Sequence, residues 1–349
     1  MNTTYEESKA INNSSLSYIN PDEGGSPEKY HDYVMGTFKG DDTKALTLGD
    51  LVHKLILENI EPVMLDKVPS DTVKNIIDKA LQYRKEAGST ESLSFGEAGG
   101  NTSIEDNKVF VLKAANELKY GKGNYKDDRI IKDIQKSGQA YWNFMLVNEG
   151  KDIVDAKTMS NITRIKLNLT QRPSVKEMFA EPQTSKQQLF LEKEIFWKLD
   201  VDGQIVECKS KLDGLLLDME NKTFSIRDLK TTSKSVQRFQ NSFEYYRYYR
   251  QMAFYERAVM YRLEEAGFKG FKPADHYMVV VETTGYNLVR RFKVHRKYLE
   301  MGREEYMDLI RRILSHSKDQ NWIFSREELE NGGEFVLEPM EVAADEQED

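Results

Sequence analysis

An α/β fold, with a mixed and largely antiparallel central sheet flanked by helices and preceded by a helical N-terminal region, is predicted by three features of this 349-residue chain. Two turn signals, Asp202-Gly203 and residues 219–222, divide the β-rich stretch 189–230 into three successive strands. Apolar residues at helical spacing mark several segments on either side of it. A further pair of β-rich segments, 277–281 and 288–294, flanks Thr284-Gly285 and reads as a second hairpin.

Along the chain, the first forty or so residues are expected to be a loose lead-in, because they hold Asn-Asn-Ser-Ser at 12–15 and Gly-Gly-Ser-Pro at 24–27. A helix follows with Thr47 as its N-cap and Leu48, Leu51, Val52, Leu55 and Ile56 as its apolar stripe. His53 lies at the flank of that stripe, where Gly49 one turn earlier leaves open space. Residues 89–103 and 120–128 are rich in Gly, Ser and charge and read as loops around helices at 107–118 and 128–150. After the strands, a tyrosine- and arginine-rich helix is expected over 235–266, with Thr232 or Ser233 capping it. An amphipathic helix at 298–314 comes next, then Trp322 as an anchor, then an acidic tail expected to be disordered beyond Pro339.

The two turns also set a register. With Asp202-Gly203 as a two-residue loop, Val201 faces Gln204 and Glu192 faces Asp213; with Asp218 and Thr223 closing the next turn, Leu217 faces Phe224, Leu215 faces Ile226, and Asp213 faces Asp228. Lys230 lies two residues further along the same face. Asp and Lys at strand ends are commonly just solvated. Here, however, the row of acids extends an apolar face, and directly opposed like charges about 4.5–5.5 Å apart at Cβ destabilise a sheet. Lys230 offsets one charge of three. A divalent cation held by oxygen ligands is the simplest way to offset the others.

Asp213-Gly214, then Asp228-Leu229-Lys230-Thr231-Thr232, then Gln251-Met252-Ala253-Phe254-Tyr255 resembles the PD-(D/E)xK nuclease superfamily, and within it the RecB-like branch of RecE (exonuclease VIII) type phage and prophage exonucleases. Residues 192–197 resemble the strand before the first aspartate of that family, residues 47–53 its upstream helix with a metal-binding histidine, and residues 155–179 the helical segment before its catalytic sheet. The resemblance spans most of 46–322 and implies a restriction-endonuclease-like core. It further implies Asp213 and Asp228 as ligands of one or two Mg²⁺ or Mn²⁺ ions, with the Leu229 carbonyl and His53 completing the shell. Glu192 would take a second ion or hold a water of the first. Glu194 is the competing acid, but the register sets it opposite Lys211, where an ordinary cross-strand pair suffices. Lys230 would partner the attacking water, with an amine pKa lowered towards the working range. Gln251 and Tyr255, four apart on one helix face, with Tyr248 three residues before Gln251, would brace the site and touch DNA. Thr231 and Thr232 would bond a phosphate or merely cap the next helix.

Composition narrows the rest. One cysteine, Cys208, excludes a disulfide framework and the four-cysteine iron-sulfur cluster that some RecB-like nucleases carry. No apolar run reaches ~18 residues and residues 1–15 are polar, so a cytoplasmic location without membrane association is expected, and the family resemblance implies that the cytoplasm is that of a bacterium or phage-infected host. Net charge is −8, which argues against a generally basic DNA binder, yet residues 204–262 hold eleven Lys/Arg against seven Asp/Glu. The chain divides into a lead-in (1–45), a mainly helical part bearing His53 (46–188), a nuclease core (189–325) and an acidic tail (326–349). The activity implied is 5′ to 3′ exonucleolytic resection of double-stranded DNA for recombination or repair, in a homo-oligomer working with a single-strand annealing protein. A structure- or sequence-specific endonuclease on the same core, or a catalytically silent DNA- or partner-binding fold, are the alternatives.

Overall fold

The computed structural model describes residues 4–38, 44–87, 103–123, 125–148, 151–182 and 184–334. The expected disorder beyond Pro339 and nearly all of the 89–103 loop fall outside them. Two compact units emerge. One comprises Met1–Lys44, Pro173–Val281 and Val289–Asp349; the other comprises Ala45–Arg172 and Glu282–Leu288.

The first unit is built on a six-stranded, mostly antiparallel sheet. Strands Gln187–Val201, Gln204–Asp218, Thr223–Thr232, Tyr277–Glu282 and Val289–Lys293 follow one another in that spatial order, and the short strand Lys272–Pro273 adds in parallel to Thr223–Thr232. Both turn signals act as expected. Val201 pairs with Gln204, Asp218 with Thr223, Leu217 with Phe224 and Leu215 with Ile226. Asp202 and Gly203 both take positive φ, as a two-residue hairpin loop requires. The 277–281 and 288–294 hairpin is also present, with Val281 paired to Val289.

The Tyr248–Glu265 helix packs its apolar face onto this sheet: the ring of Phe254 meets Trp197 edge-on at 4.7 Å and Tyr306 at 5.4 Å. Full burial of such a side chain contributes about 1.5–3 kcal/mol. Tyr306 belongs to the long Arg296–Asp319 helix, which approaches so closely that a Cβ on Gly302 would lie 2.5 Å from the carbonyl oxygen of Tyr249. Only glycine fits there. Trp322 stacks on Tyr30 at 5.8 Å and anchors the chain after this helix.

Three expectations are corrected in this unit. The continuous helix over 235–266 is broken into a 3₁₀ turn at Val236–Arg238, a helix at Phe239–Tyr245 and the helix from Tyr248. The break falls at Arg247, whose φ is +52°, a backbone that costs a non-glycine residue about 1–2 kcal/mol. Ion pairs to Asp22 at 3.0 Å and Glu305 at 3.9 Å, and a hydrogen bond to the Tyr249 hydroxyl, fasten it. The cap before this segment is Ser235, not Thr232 or Ser233; Thr232 Oγ1 instead accepts from the Lys234 N–H.

The third correction concerns the lead-in. Residues 4–38 are folded: helices form at Asn13–Leu16 and Pro27–Met35, Leu16 and Ile19 are buried, and Ile11 bridges Cys208 at the sheet. The fully buried Arg250 guanidinium explains the attachment. It pairs with Glu23 and Glu305 and bonds Asn13 and Ser17, so three elements converge on one cation.

The second unit is helical, as expected. Helices Asp71–Glu86, Lys108–Glu117 and Asp127–Val147 enclose a core of Ile76, Ile77, Ile134 and Trp142. The helix carrying His53 runs over Lys44–Leu57, so Thr47 lies inside it and is not its N-cap. Leu51 and Leu55 pack with Val154 and Ile162, confirming the apolar stripe. The Ala156–Thr170 helix holds the hairpin tip through Asn161 and Asn168, which donate to the carbonyls of Thr283 and Asn287.

Candidate active site

The first unit brings Glu192, Asp213, Asp228 and Lys230 together on three adjacent strands. Leu191 pairs with Gly214 and Lys193 with Leu212, so the register on both sides sets Glu192 opposite Asp213. At Glu192 the ladder is interrupted by a left-handed backbone of φ +49°. Sequence gave no sign of this, since no glycine or asparagine marks the place. Oxygen atoms of Glu192 and Asp213 nonetheless lie within 4.8 Å of each other. The next ladder ends at Gly214 and Arg227, one position short of Asp213 and Asp228. Asp213 Oδ2 there accepts from the Leu229 N–H at 2.7 Å.

Asp228 is 1% exposed, and neither of its oxygens receives a hydrogen bond. The Lys230 ammonium forms an ion pair with Oδ2 at 2.7 Å, and Oδ1 is without a partner. A buried carboxylate left in this condition is costly. Asp213 retains some exposed surface although protein atoms surround its carboxyl densely; burial first, and then the neighbouring Asp228, push its pKa up to about 8. Burial acts the other way on Lys230, but the charges of Asp228 and Asp213 overcome it and hold the amine above its ordinary value. The lowered amine pKa expected from sequence is therefore reversed: two carboxylates outweigh desolvation.

Glu192 pairs with Lys211 at 2.5 Å, although the backbone partner of Lys211 is Glu194, as the register required. The left-handed turn of Glu192 accounts for the exchange by redirecting its side chain. Glu194 is exposed.

The helix face read from the sequence closes over the carboxylates. Tyr248 lies beneath the Lys230 ammonium, 5.1 Å from ring centre to Nζ, a cation–π contact. Gln251 Nε2 donates to the Tyr255 hydroxyl at 2.9 Å, while its Oε1 is buried without a partner. Burial, then the charges of Asp228 and Asp213, raise the Tyr255 pKa well above the ordinary value, so this hydroxyl stays protonated. Thr231 is half-buried at the end of the strand. His53 is half-buried on its helix in the second unit.

The donor set fits a hard divalent cation. It offers carboxylate oxygens, a surplus of buried negative charge and two carboxylate oxygens without hydrogen bonds. The single thiol, Cys208, is buried in the sheet with its pKa pushed up to about 12, and it supplies no ligand.

No family model and no curated protein matches the chain. Among solved structures, a "Putative exonuclease" from Eubacterium rectale is similar at 11% identity and a TM-score of 0.49, over 97% of this chain and 96% of that one. SSO0001 is similar at 10% identity and a TM-score of 0.25, over 67% and 84%. At these scores neither similarity carries a functional conclusion. Among the described residues no helix is long and apolar enough to cross a membrane.

Proposed function

We propose that the protein is a metal-dependent DNA exonuclease of RecE type, resecting double-stranded DNA. The observation that carries this reading is Asp228, a buried carboxylate partnered only by the Lys230 ammonium two residues along its own strand, beside Asp213 on the adjoining strand. One ammonium between two buried carboxylates leaves negative charge that a purely structural ion pair would not carry.

In this reading Asp213 and Asp228 hold Mg²⁺ or Mn²⁺, the Leu229 carbonyl and His53 add ligands by the sequence resemblance, and Glu192 is the further acid. Bound there, the ion supplies Lewis acidity towards the phosphodiester and lowers the pKa of water. The chain's own residues do the rest. Lys230 offsets negative charge on the scissile phosphate and orients the attacking water through its ammonium. Tyr248 limits the approach of solvent to that amine from one side. Tyr255, kept protonated, donates towards an anionic oxygen, and Gln251 holds its hydroxyl in place. The Leu229 N–H fixes one Asp213 oxygen and so aims the other.

Digestion of end-labelled linear duplex with Mg²⁺ or Mn²⁺ tests the reading, with closed circular DNA alongside. Wild type should degrade the linear duplex and spare the circle, whereas Asp228→Ala and Lys230→Ala should leave both intact. Equal activity in all three proteins would refute the site; cutting of the circle would make the enzyme an endonuclease.

A further inference from the structure

Where the sequence leads one to expect a single long helix, the chain is broken at Arg247, and the two residues before the break are exposed aromatics. Tyr245 is 74% and Tyr246 50% exposed. Neither ring contributes much to a core. They are nevertheless held in order: Tyr245 meets Tyr246 edge-on, with centres 5.0 Å apart, and Tyr246 lies 5.7 Å from Tyr248. Tyr248 in turn stacks on buried Phe239 and lies under the Lys230 ammonium, 5.1 Å from its centre. A continuous aromatic path thus runs from the amine of the candidate site out to solvent.

We propose that the exposed rings of Tyr245 and Tyr246 form a stacking platform for a single strand of DNA passing between solvent and Lys230, with Tyr248, whose ring is engaged by Phe239 and the Lys230 ammonium, linking the platform to the site. The proposal rests on the nuclease reading and names the strand form that its site engages. Aromatic faces stack on bases of any sequence, but a base inside a duplex already has both faces covered, so an exposed platform selects unpaired strand. The charge of the segment complements a phosphate backbone. Residues 230–250 contain five Lys/Arg against one Glu, and Lys234 and Arg238, between the catalytic strand and the tyrosines, are exposed. Arg247 fastens the break from beneath through Asp22, Glu305 and Tyr249, so the rings are pre-positioned and little ordering is needed on binding.

The test measures binding without cleavage. Fluorescence anisotropy of a short fluorescein-labelled oligothymidylate is followed on full-length Asp228→Asn protein in EDTA, then with Tyr245→Ala and Tyr246→Ala added together. The alanine pair should weaken binding on the order of tenfold or more. Tyr245→Phe with Tyr246→Phe should restore it, because the ring and not the hydroxyl does the stacking. Tyr261→Ala, thirteen residues and about 20 Å along the helix from Tyr248, should leave it unchanged. Circular dichroism confirms that each variant is folded. Unchanged affinity in the alanine pair, or no oligothymidylate binding by the parent, overturns the platform. Neither result touches the nuclease reading, which stands or falls on digestion of duplex DNA by the wild type.

Discussion

The Lys230 ammonium lies 2.7 Å from Asp228 Oδ2 in a place where that carboxylate is 1% exposed and has no hydrogen bond. The two residues are neighbours on one face of one strand, and Asp213 adds a second carboxylate from the strand beside them. Charge balance in the metal-free protein then depends on a proton, and this gives the site a pH signature.

Asp213 has a folded pKa of about 8, above its unfolded value near 3.9. A raised carboxyl pKa stabilises the fold below the unfolded value, and that contribution is lost as pH rises through the folded one. Metal-free wild type should therefore lose stability between about pH 4 and pH 8 relative to Asp213→Asn, which cannot ionise. Mn²⁺ displaces the proton, so its stabilisation of wild type should grow over the same window. Thermal melts of both proteins at several pH values, with and without Mn²⁺, check both signs.

Lys230→Ala removes the cation between two buried carboxylates. Breaking a buried pair in this way costs about 3–5 kcal/mol. Melting temperature should fall in EDTA and recover in large part with Mn²⁺. Nuclease activity should stay down by about 10²–10⁴-fold even at saturating metal, since the role of the amine towards water and phosphate is not the ion's.

Gly302→Ala tests the scaffold. Its new methyl would sit 2.5 Å from the Tyr249 carbonyl oxygen and 2.9 Å from the Arg250 Cα, backbone atoms that cannot step aside without moving the helix that carries Gln251 and Tyr255. A cost of about 1–3 kcal/mol is expected from overpacking, together with reduced activity. Denaturant unfolding and a digestion assay measure the two effects.

Cys208 should be inert in the native state. Burial pushes its thiol up to about 12, leaving almost no thiolate at pH 8. Ellman's reagent should register one thiol per chain only after denaturant is added.

Both sheet registers were legible because Asp202-Gly203 and the 219–222 turn each fix the strands on either side, and the second runs up to Gly214 and Arg227, one position short of Asp213 and Asp228. Turn chemistry is local, so one sequence suffices to read it. The left-handed Glu192 was hidden because no residue preference announces it, and with it the pairing of Glu192 to Lys211. Arg247 was hidden for a similar reason. Tyrosine and arginine tolerate a helix, and what breaks this one is an ion-pair network with Asp22 and Glu305, distant in sequence. The polar lead-in misled because its order comes from a buried cation, Arg250, supplied by another segment.

Calorimetric titration of Mn²⁺ into metal-free protein tests the central claim most directly, comparing wild type with Asp213→Asn and Asp228→Asn. Saturable binding to wild type, lost in both variants while their folds persist, is the predicted result. Undiminished Mn²⁺ affinity in both variants would contradict it, since the paired strand carboxylates would then have no part in holding the ion.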